Sequence, residues 1–128
     1  MRICIHRGTE QVGGTCIEIE CMGKRIVLDV GMPLDLEPEN AEAAIPSVYG
    51  FREPADDLLA VLISHPHQDH VGLVRYLRAD LPVAIGAAAR RLLDRAAGWL
   101  DQPKLEGRPI VHWRNGSPPV LGPFRGTP

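Results

Sequence analysis

Four side chains that bind metal ions well lie close together in the segment S-H-P-H-Q-D-H, which covers residues 64–70. Imidazole and carboxylate groups suit zinc, and they also suit iron or manganese. In an extended segment, side chains two residues apart point the same way, so His65 and His67 can hold one ion. Asp69 and His70 follow where the chain turns, and they can hold a second ion beside the first. The spacing therefore predicts a metal site.

The elements on either side of this segment would hold it in place. The apolar run over residues 58–63 predicts a buried strand, and the spacing of residues 70–81 predicts a helix. Protein scaffolds often place functional groups on loops between such elements. The other elements predicted from periodicity are strands over residues 2–7, 15–20, 25–29, 82–86, 110–113 and 120–124, a helix over residues 87–100, and turns at residues 22–24 and 116–119.

Composition and charge limit the function classes. The chain has 128 residues, of which 45% are apolar and 23% charged, and this is typical of one globular domain. A net charge of −2 argues against nucleic-acid binding through bulk charge alone. The three cysteines form no C-x-x-C pair, and no apolar run reaches the length of a signal sequence or a membrane span. We therefore expect reduced thiols, a cytoplasmic location and no membrane contact.

The helix predicted over residues 87–100 has a polar face that allows two interpretations. Arg90, Arg91 and Arg95 lie mostly off its apolar stripe. These arginines either contact phosphates or form a solvated face, and we favour the solvated face. The predicted apolar stripe consists of Leu92, Leu93, Ala96, Ala97 and Leu100.

Two further features also allow a functional and a structural interpretation. Residues 33–54 are rich in proline and acidic side chains. A long loop of this kind either shapes access to an active site or forms a solvated surface segment. His112 is a tempting extra ligand, but a single histidine in a strand is more often structural, and we interpret it so.

The motif H-P-H-Q-D-H matches the pattern H-x-H-x-D-H and resembles the metal loop of the metallo-β-lactamase fold superfamily. The resemblance implies an αββα sandwich, of which this chain covers half: an α/β (α+β) fold with a mixed sheet and helices on one face. It implies two zinc ions in the complete fold, with manganese or iron as alternatives, and it makes Asp69 catalytic as well as a ligand. A strand that ends in Asp29, shortly before Gly31, resembles the first motif of the superfamily. By that resemblance Asp29 supports the metal loop.

Two other segments resemble the ribonuclease J-like, RNA-processing (β-CASP) branch of that superfamily. Residues 7–15 resemble its opening loop, and residues 121–128, L-G-P-F-R-G-T-P, resemble a strand ahead of its third metal motif. This resemblance implies hydrolysis of phosphodiester bonds by a metal-activated hydroxide, with RNA or another anionic molecule as substrate. The metal loop is equally compatible with a thioester, lactone or β-lactam hydrolase, and an inactive metal-binding fragment is a third alternative.

The resemblance also implies that residues 1–128 are the N-terminal part of a metallo-β-lactamase-like domain, truncated before the third metal motif. No matching metal motif follows His70 in the sequence. We therefore expect the isolated chain to be nearly inactive. We also expect one face of its sheet to remain uncovered, which favours a homodimer or aggregation.

Overall fold

A six-stranded mixed sheet forms the centre of the computed structural model, which describes residues 1–99, 105–113 and 119–126. The strands lie in the order of the sequence. The first three pair antiparallel, and the third to the sixth pair parallel, so the expected mixed sheet is confirmed. The strands are β1 (Arg2–Arg7), β2 (Cys16–Cys21), β3 (Lys24–Leu28), β4 (Leu58–Ile63), β5 (Val83–Gly86) and β6 (Ile110–Trp113).

The tight turn between β2 and β3 lies where the sequence predicts it. Met22 and Gly23 both have positive φ angles, of 52° and 70°. Two central residues in this conformation match the twist of the flanking strands and give a two-residue hairpin. This turn fixes the antiparallel register of β2 and β3, in which Cys21 lies opposite Lys24.

The helix predicted over residues 70–81 is wrong in extent. The chain forms a single helical turn, α1 (Gln68–Val71), and then a separate 3₁₀ turn (Val74–Tyr76). The helix stops because the backbone N–H of Leu73 donates to the carbonyl of Val30, at 3.0 Å, rather than continuing the helical ladder. The tertiary contact thus overrides the local apolar spacing. In the described part of the chain, no helix is long and apolar enough to cross a membrane.

The second helix, α2 (Ala87–Ala97), is confirmed, but its predicted apolar stripe is partly wrong. Ala89 and Leu93 pack against the hydrophobic core. Leu92 was predicted to face the core, yet it is 59% exposed. Residues spaced by four share a face of a helix, so Ala89 and Leu93 define the inner face and Leu92 lies outside it. The predicted stripe residue Leu100 lies outside the described residues.

The last strand predicted, over residues 120–124, is a small hairpin instead. Its arms are β7 (Val120–Leu121) and β8 (Phe124–Arg125), which pair antiparallel. Gly122 has a φ of 55°, a left-handed conformation that reverses the chain between the arms. Residues 116–118 of the predicted turn and residues 127–128 of the L-G-P-F-R-G-T-P segment lie outside the described residues.

The proline-rich segment 33–54 contributes to the hydrophobic core, which neither sequence interpretation anticipated. Phe51 is 1% exposed, Val48 5% and Ala41 0%. They belong to the same cluster as Val61 of β4. This segment therefore packs against one face of the sheet, and burial of its apolar side chains stabilises the fold at about 25 cal/mol per Å².

The opposite face of the sheet carries a row of apolar side chains. Ile5, Ile17, Leu28 and Leu62 are register partners from β1 to β4, so they share this face. Ile5 is 53% exposed, and the other three are partly buried. On the same face, Ile26 is 4% and Ala60 0% exposed, so the exposure is concentrated toward β1.

A buried ion cluster fixes the segment before β4 to the sheet. Arg25 and Glu18 are 7% and 6% exposed. The guanidinium of Arg25 donates to Glu18 at 3.1 Å and to both carboxylate oxygens of Asp57 at 2.6 and 3.0 Å. It also donates to the carbonyl of Tyr49 at 3.0 Å. The hydrogen bonds from Arg25 hold the pKa of Asp57 below its usual range. The ion pair between Arg25 and Asp57 therefore stabilises the fold fully above the unfolded-state pKa of Asp57, and this stabilisation is lost as the pH falls through the folded-state pKa.

Replacing Arg25 with leucine is expected to lower the free energy of unfolding by about 3 kcal/mol, because the buried Glu18 carboxylate loses its nearest cation and keeps only the longer contacts to His6 at 3.5 Å and Arg2 at 3.8 Å. Urea denaturation measures this change. Adding Glu18→Gln to Arg25→Leu removes the buried charge and should restore part of the stability. A double variant that is less stable than Arg25→Leu would contradict this explanation.

The thiol of Cys16 is expected to be inert in the folded protein. Cys16 is 0% exposed, and burial raises its pKa to about 12. The reactive thiolate is therefore scarce at pH 8. Cys4 and Cys21 are partly exposed free thiols. Mass spectrometry after iodoacetamide treatment should find Cys4 and Cys21 modified first and Cys16 modified only in urea, whereas equal labelling of all three would contradict the burial.

Candidate metal centre

The predicted metal loop connects the end of β4 to the start of α1. Ligand atoms of His65, Asp69 and His70 all lie within 4.8 Å of one another. His65 comes two residues after β4, and the other two lie in the first turn of α1. The strand end and the short helix therefore bring three potential metal ligands to one point.

His67 lies beside this group. Its ring centroid is 4.8 Å from that of His65, with the ring planes at 78°. His67 is the N-cap residue of α1, and its carbonyl accepts the backbone N–H groups of His70 and Val71 at 3.0 Å. The sequence pairs His65 with His67 and Asp69 with His70. The structure brings ligand atoms of His65, Asp69 and His70 together, and the His67 ring lies next to that of His65.

Asp29 lies directly beneath the metal loop, where the resemblance expects it. Its φ of 57° turns the chain at the end of β3, and the residue is 4% exposed. One carboxylate oxygen accepts the backbone N–H of Ser64 at 2.8 Å. The other accepts the Ser64 hydroxyl at 2.7 Å and contacts His70 Nδ1 at 2.8 Å. Asp29 therefore ties both ends of the loop together.

These hydrogen bonds also set the orientation of two imidazole rings. A carboxylate only accepts, so His70 donates a hydrogen from Nδ1 to Asp29. The Ser64 hydroxyl donates to Asp29, so it accepts from His65 Nδ1, which lies 3.0 Å away. On both rings, Nε2 is therefore the nitrogen that can face a ligand. His70 Nε2 lies 3.3 Å from Asp69 Oδ2.

A second set of contacts holds the backbone of the loop. The N–H of Val30 donates to the carbonyl of His70, and the N–H of Met32 donates to the carbonyl of Gln68, both at 2.9 Å. Between these two bonds, Gly31 lies so close to Asp69 that a Cβ on Gly31 would be 1.7 Å from the Asp69 carbonyl oxygen. Only glycine allows this approach, so Gly31 sets the position of Asp69.

Residues 10–126 match the sequence model of the metallo-beta-lactamase superfamily. The chain belongs to this superfamily. Ribonuclease J from Mycobacterium tuberculosis is 27% identical to it over 88 residues, which are 65% of this chain and 16% of that protein. The RNase J-like protein of Methanocaldococcus jannaschii is 37% identical over 73 residues, which are 57% of this chain and 15% of that protein. The chain thus spans less than a fifth of the length of these relatives.

A solved structure of a protein of unknown function from Enterococcus faecalis has the same fold. Its TM-score is 0.75 at 19% identity, over 94% of this chain and 35% of that one. The described α/β architecture, with its mixed sheet and two helices, is therefore that of the metallo-beta-lactamase superfamily.

The donor set fits a metal ion of the kind found in this superfamily. Two imidazole nitrogens and a carboxylate oxygen suit zinc, iron or manganese. A metal binds a neutral imidazole, and in this arrangement Nε2 is the nitrogen of His65 and His70 that would bind it. Asp29 supplies the outer hydrogen bond that usually orients a ligating histidine.

Ser64 is a residue of the metal loop whose contacts the sequence does not predict. It links Asp29 to His65, and its only sequence signal is its place directly before the first histidine of the motif. Hydroxyl side chains are common in loops, so position alone does not distinguish Ser64 from a solvated serine. His112, which we interpreted as structural, lies exposed in β6 and outside the group of three.

Replacing Asp29 with asparagine is expected to weaken zinc binding about tenfold, because an outer partner of a ligating histidine typically contributes that much or more. The amide offers one acceptor oxygen in place of two, so Ser64 and His70 lose part of their support. Isothermal titration calorimetry measures the affinity. Asp35→Asn, in an exposed position, is the matched control, and a similar loss in both variants would contradict this role of Asp29.

Proposed function

We propose that this chain carries the N-terminal part of a metal-dependent hydrolase that cleaves phosphodiester bonds in RNA. The observation that carries the proposal is the convergence of His65, Asp69 and His70 on one point above Asp29. The ribonuclease J relatives favour RNA as the substrate class within the superfamily. The metal is zinc in this proposal, with two ions in the complete site, and manganese or iron as alternatives.

In this proposal, His65, His67, Asp69 and His70 are the metal ligands that this chain contributes. Ions held by these residues would make a hydroxide available near neutral pH and would stabilise negative charge on the phosphoryl group. Asp69 is also the catalytic residue, because its carboxylate can orient the attacking water through a hydrogen bond and accept a proton from it. Asp29 keeps the His70 ring in place throughout.

Other properties belong to the same proposal. Residues 1–128 form the N-terminal part of the domain, before the third metal motif, and further ligands come from later sequence. The apolar row Ile5, Ile17, Leu28 and Leu62 supports association of the isolated chain into dimers or aggregates through this face. The free thiols support a cytoplasmic location.

The test is hydrolysis by the natural gene product, compared with residues 1–128 alone. Both are loaded with zinc or manganese and assayed on oligouridine, on a small phosphodiester and on a thioester. The natural protein should cleave oligouridine, lose activity with a chelator and recover it with added metal. Residues 1–128 alone should show little turnover, because they contribute only part of the ligand set.

Thioester turnover that exceeds RNA turnover would overturn the proposed substrate and favour a small-molecule hydrolase. RNA cleavage that continues after the metal is removed would overturn the metal-dependent mechanism. A metal-loaded natural protein that cleaves none of these substrates would favour a non-catalytic metal-binding role.

A further inference from the structure

The outward face of α2 combines cationic, aromatic and apolar side chains. Arg91 and Arg95 are exposed, Leu92 is 59% exposed and Trp99 is 90% exposed. Residues 91 and 95 are four apart, as are 95 and 99, so these side chains follow one another along the helix and its end. We call Arg91, Leu92, Arg95 and Trp99 the α2 stripe. The exposed Trp99 ring offers a large aromatic surface to a partner beside the two arginines.

The charges of α2 point to an anionic partner. The helix has three arginines and one aspartate, so its side chains carry a net charge of +2. Arg90 donates to both oxygens of Asp94, at 2.8 and 2.9 Å, and this pair is neutral overall. Arg91 and Arg95 have no ion-pair partner among the described residues. The uncompensated charge therefore belongs to the α2 stripe.

The α2 stripe starts at the same edge of the sheet as the metal loop. β4 and β5 are parallel, with Ile63 opposite Ile85, so both strands end at this edge. The metal loop follows β4, and α2 begins at Ala87 directly after β5. A helix rises about 1.5 Å per residue, so Arg91 and Arg95 lie about 6 Å apart along the axis of α2. Because α2 begins at this edge, the α2 stripe extends away from the metal loop.

We propose that the α2 stripe binds single-stranded RNA next to the metal site, an inference that rests on the proposed function for its choice of nucleic acid. Arg91 and Arg95 contact successive phosphates, and Trp99 stacks on a base. Basic grooves with stacking aromatics are the usual means of binding single strands without sequence preference. The low net charge of the chain is compatible with RNA binding, because only the local charge of the α2 stripe contacts the strand. Anionic lipid is the alternative partner, and the experiment includes it for comparison.

The experiment uses the natural gene product and 2′-O-methyl oligouridine, which keeps the bases and phosphates. The 128 residues contain two tryptophans, so Trp113→Phe leaves Trp99 as the only tryptophan among them. Stacking should quench Trp99 fluorescence. Arg91→Gln combined with Arg95→Gln should weaken binding about tenfold and reduce the salt slope by about 1.4, because each lost contact with a single strand contributes about 0.7. Trp99→Ala should weaken it about fivefold or more.

Lys24→Glu is the charge-matched control, because it lowers the net charge by the same two units at the start of β3, the end of that strand away from the metal site. This variant should bind like the unchanged protein. Equal losses in Lys24→Glu and the double arginine variant, or no quenching of Trp99, would overturn the inference. Tighter binding to phosphatidylglycerol vesicles than to oligouridine would also overturn it.

The outcomes separate this inference from the proposed function. If the protein hydrolyses the small phosphodiester and does not use the α2 stripe to bind oligouridine, the stripe inference fails alone. If the stripe binds oligouridine and the metal-loaded protein cleaves neither RNA nor the small phosphodiester, the proposed function fails and the stripe inference stands.

Discussion

Replacing His65 with alanine is expected to lower zinc affinity by a factor on the order of a few hundred. Four-ligand structural zinc sites contribute about 10–16 kcal/mol in total, so one ligand contributes roughly 2.5–4 kcal/mol, and each 1.4 kcal/mol is tenfold in affinity. His65 is the member of the group with Asp69 and His70 that comes from the strand side of the loop. Its removal leaves only Asp69 and His70 of that group, both from the single turn of α1, with His67 beside them. Competition with a chromophoric zinc chelator measures the affinity.

His112→Ala is the matched control for this substitution, because it removes an exposed imidazole that lies outside the group of three. It should leave zinc affinity unchanged. His65 is only partly buried, so His65→Ala should change the free energy of unfolding of the metal-free chain little. Equal losses of zinc in the two variants would show that the site is elsewhere. Loss of zinc together with loss of the fold would show that His65 acts through stability.

The sheet and the metal loop are predictable from the sequence because both depend on local patterns. Alternation marks β1 and β2, a continuous apolar run marks β4, and the motif H-P-H-Q-D-H marks the loop between β4 and α1. Each pattern lies within a few residues, so no knowledge of distant contacts is needed.

Three of the features that the sequence did not reveal involve contacts between distant parts of the chain. The helix over residues 70–81 ends early because Leu73 bonds to Val30, more than forty residues before it. The link from Asp29 through Ser64 to His65 spans a similar distance. Residues 33–54 are buried because their apolar side chains meet a sheet face, which their proline and acidic content does not reveal. Periodicity describes one segment of the chain at a time, whereas each of these features depends on a contact between two distant segments.

Replacing Gly31 with alanine is expected to destabilise the protein by about 4 kcal/mol. The added Cβ would lie 1.7 Å from the carbonyl oxygen of Asp69 and 2.9 Å from the N–H nitrogen of Thr15. Both are backbone atoms, so no side chain can rotate away, and the metal loop itself must move. That movement breaks the bonds from Val30 to His70 and from Met32 to Gln68. Each buried backbone group left unpaired costs about 1–3 kcal/mol, so two broken bonds account for this loss.

The same movement shifts Asp69 relative to His65, so Gly31→Ala should also weaken zinc binding. A destabilising substitution in the core far from the metal loop would leave zinc binding unchanged. Gly98→Ala is the control, because a Cβ at Gly98 meets only a carbonyl oxygen at 3.7 Å, an ordinary contact. Urea denaturation gives the stability and chelator competition gives the affinity, both on the full chain. If Gly31→Ala matches Gly98→Ala in both measurements, the loop is not held by the close approach of Gly31. If stability falls and zinc affinity does not, Gly31 supports the fold without positioning Asp69.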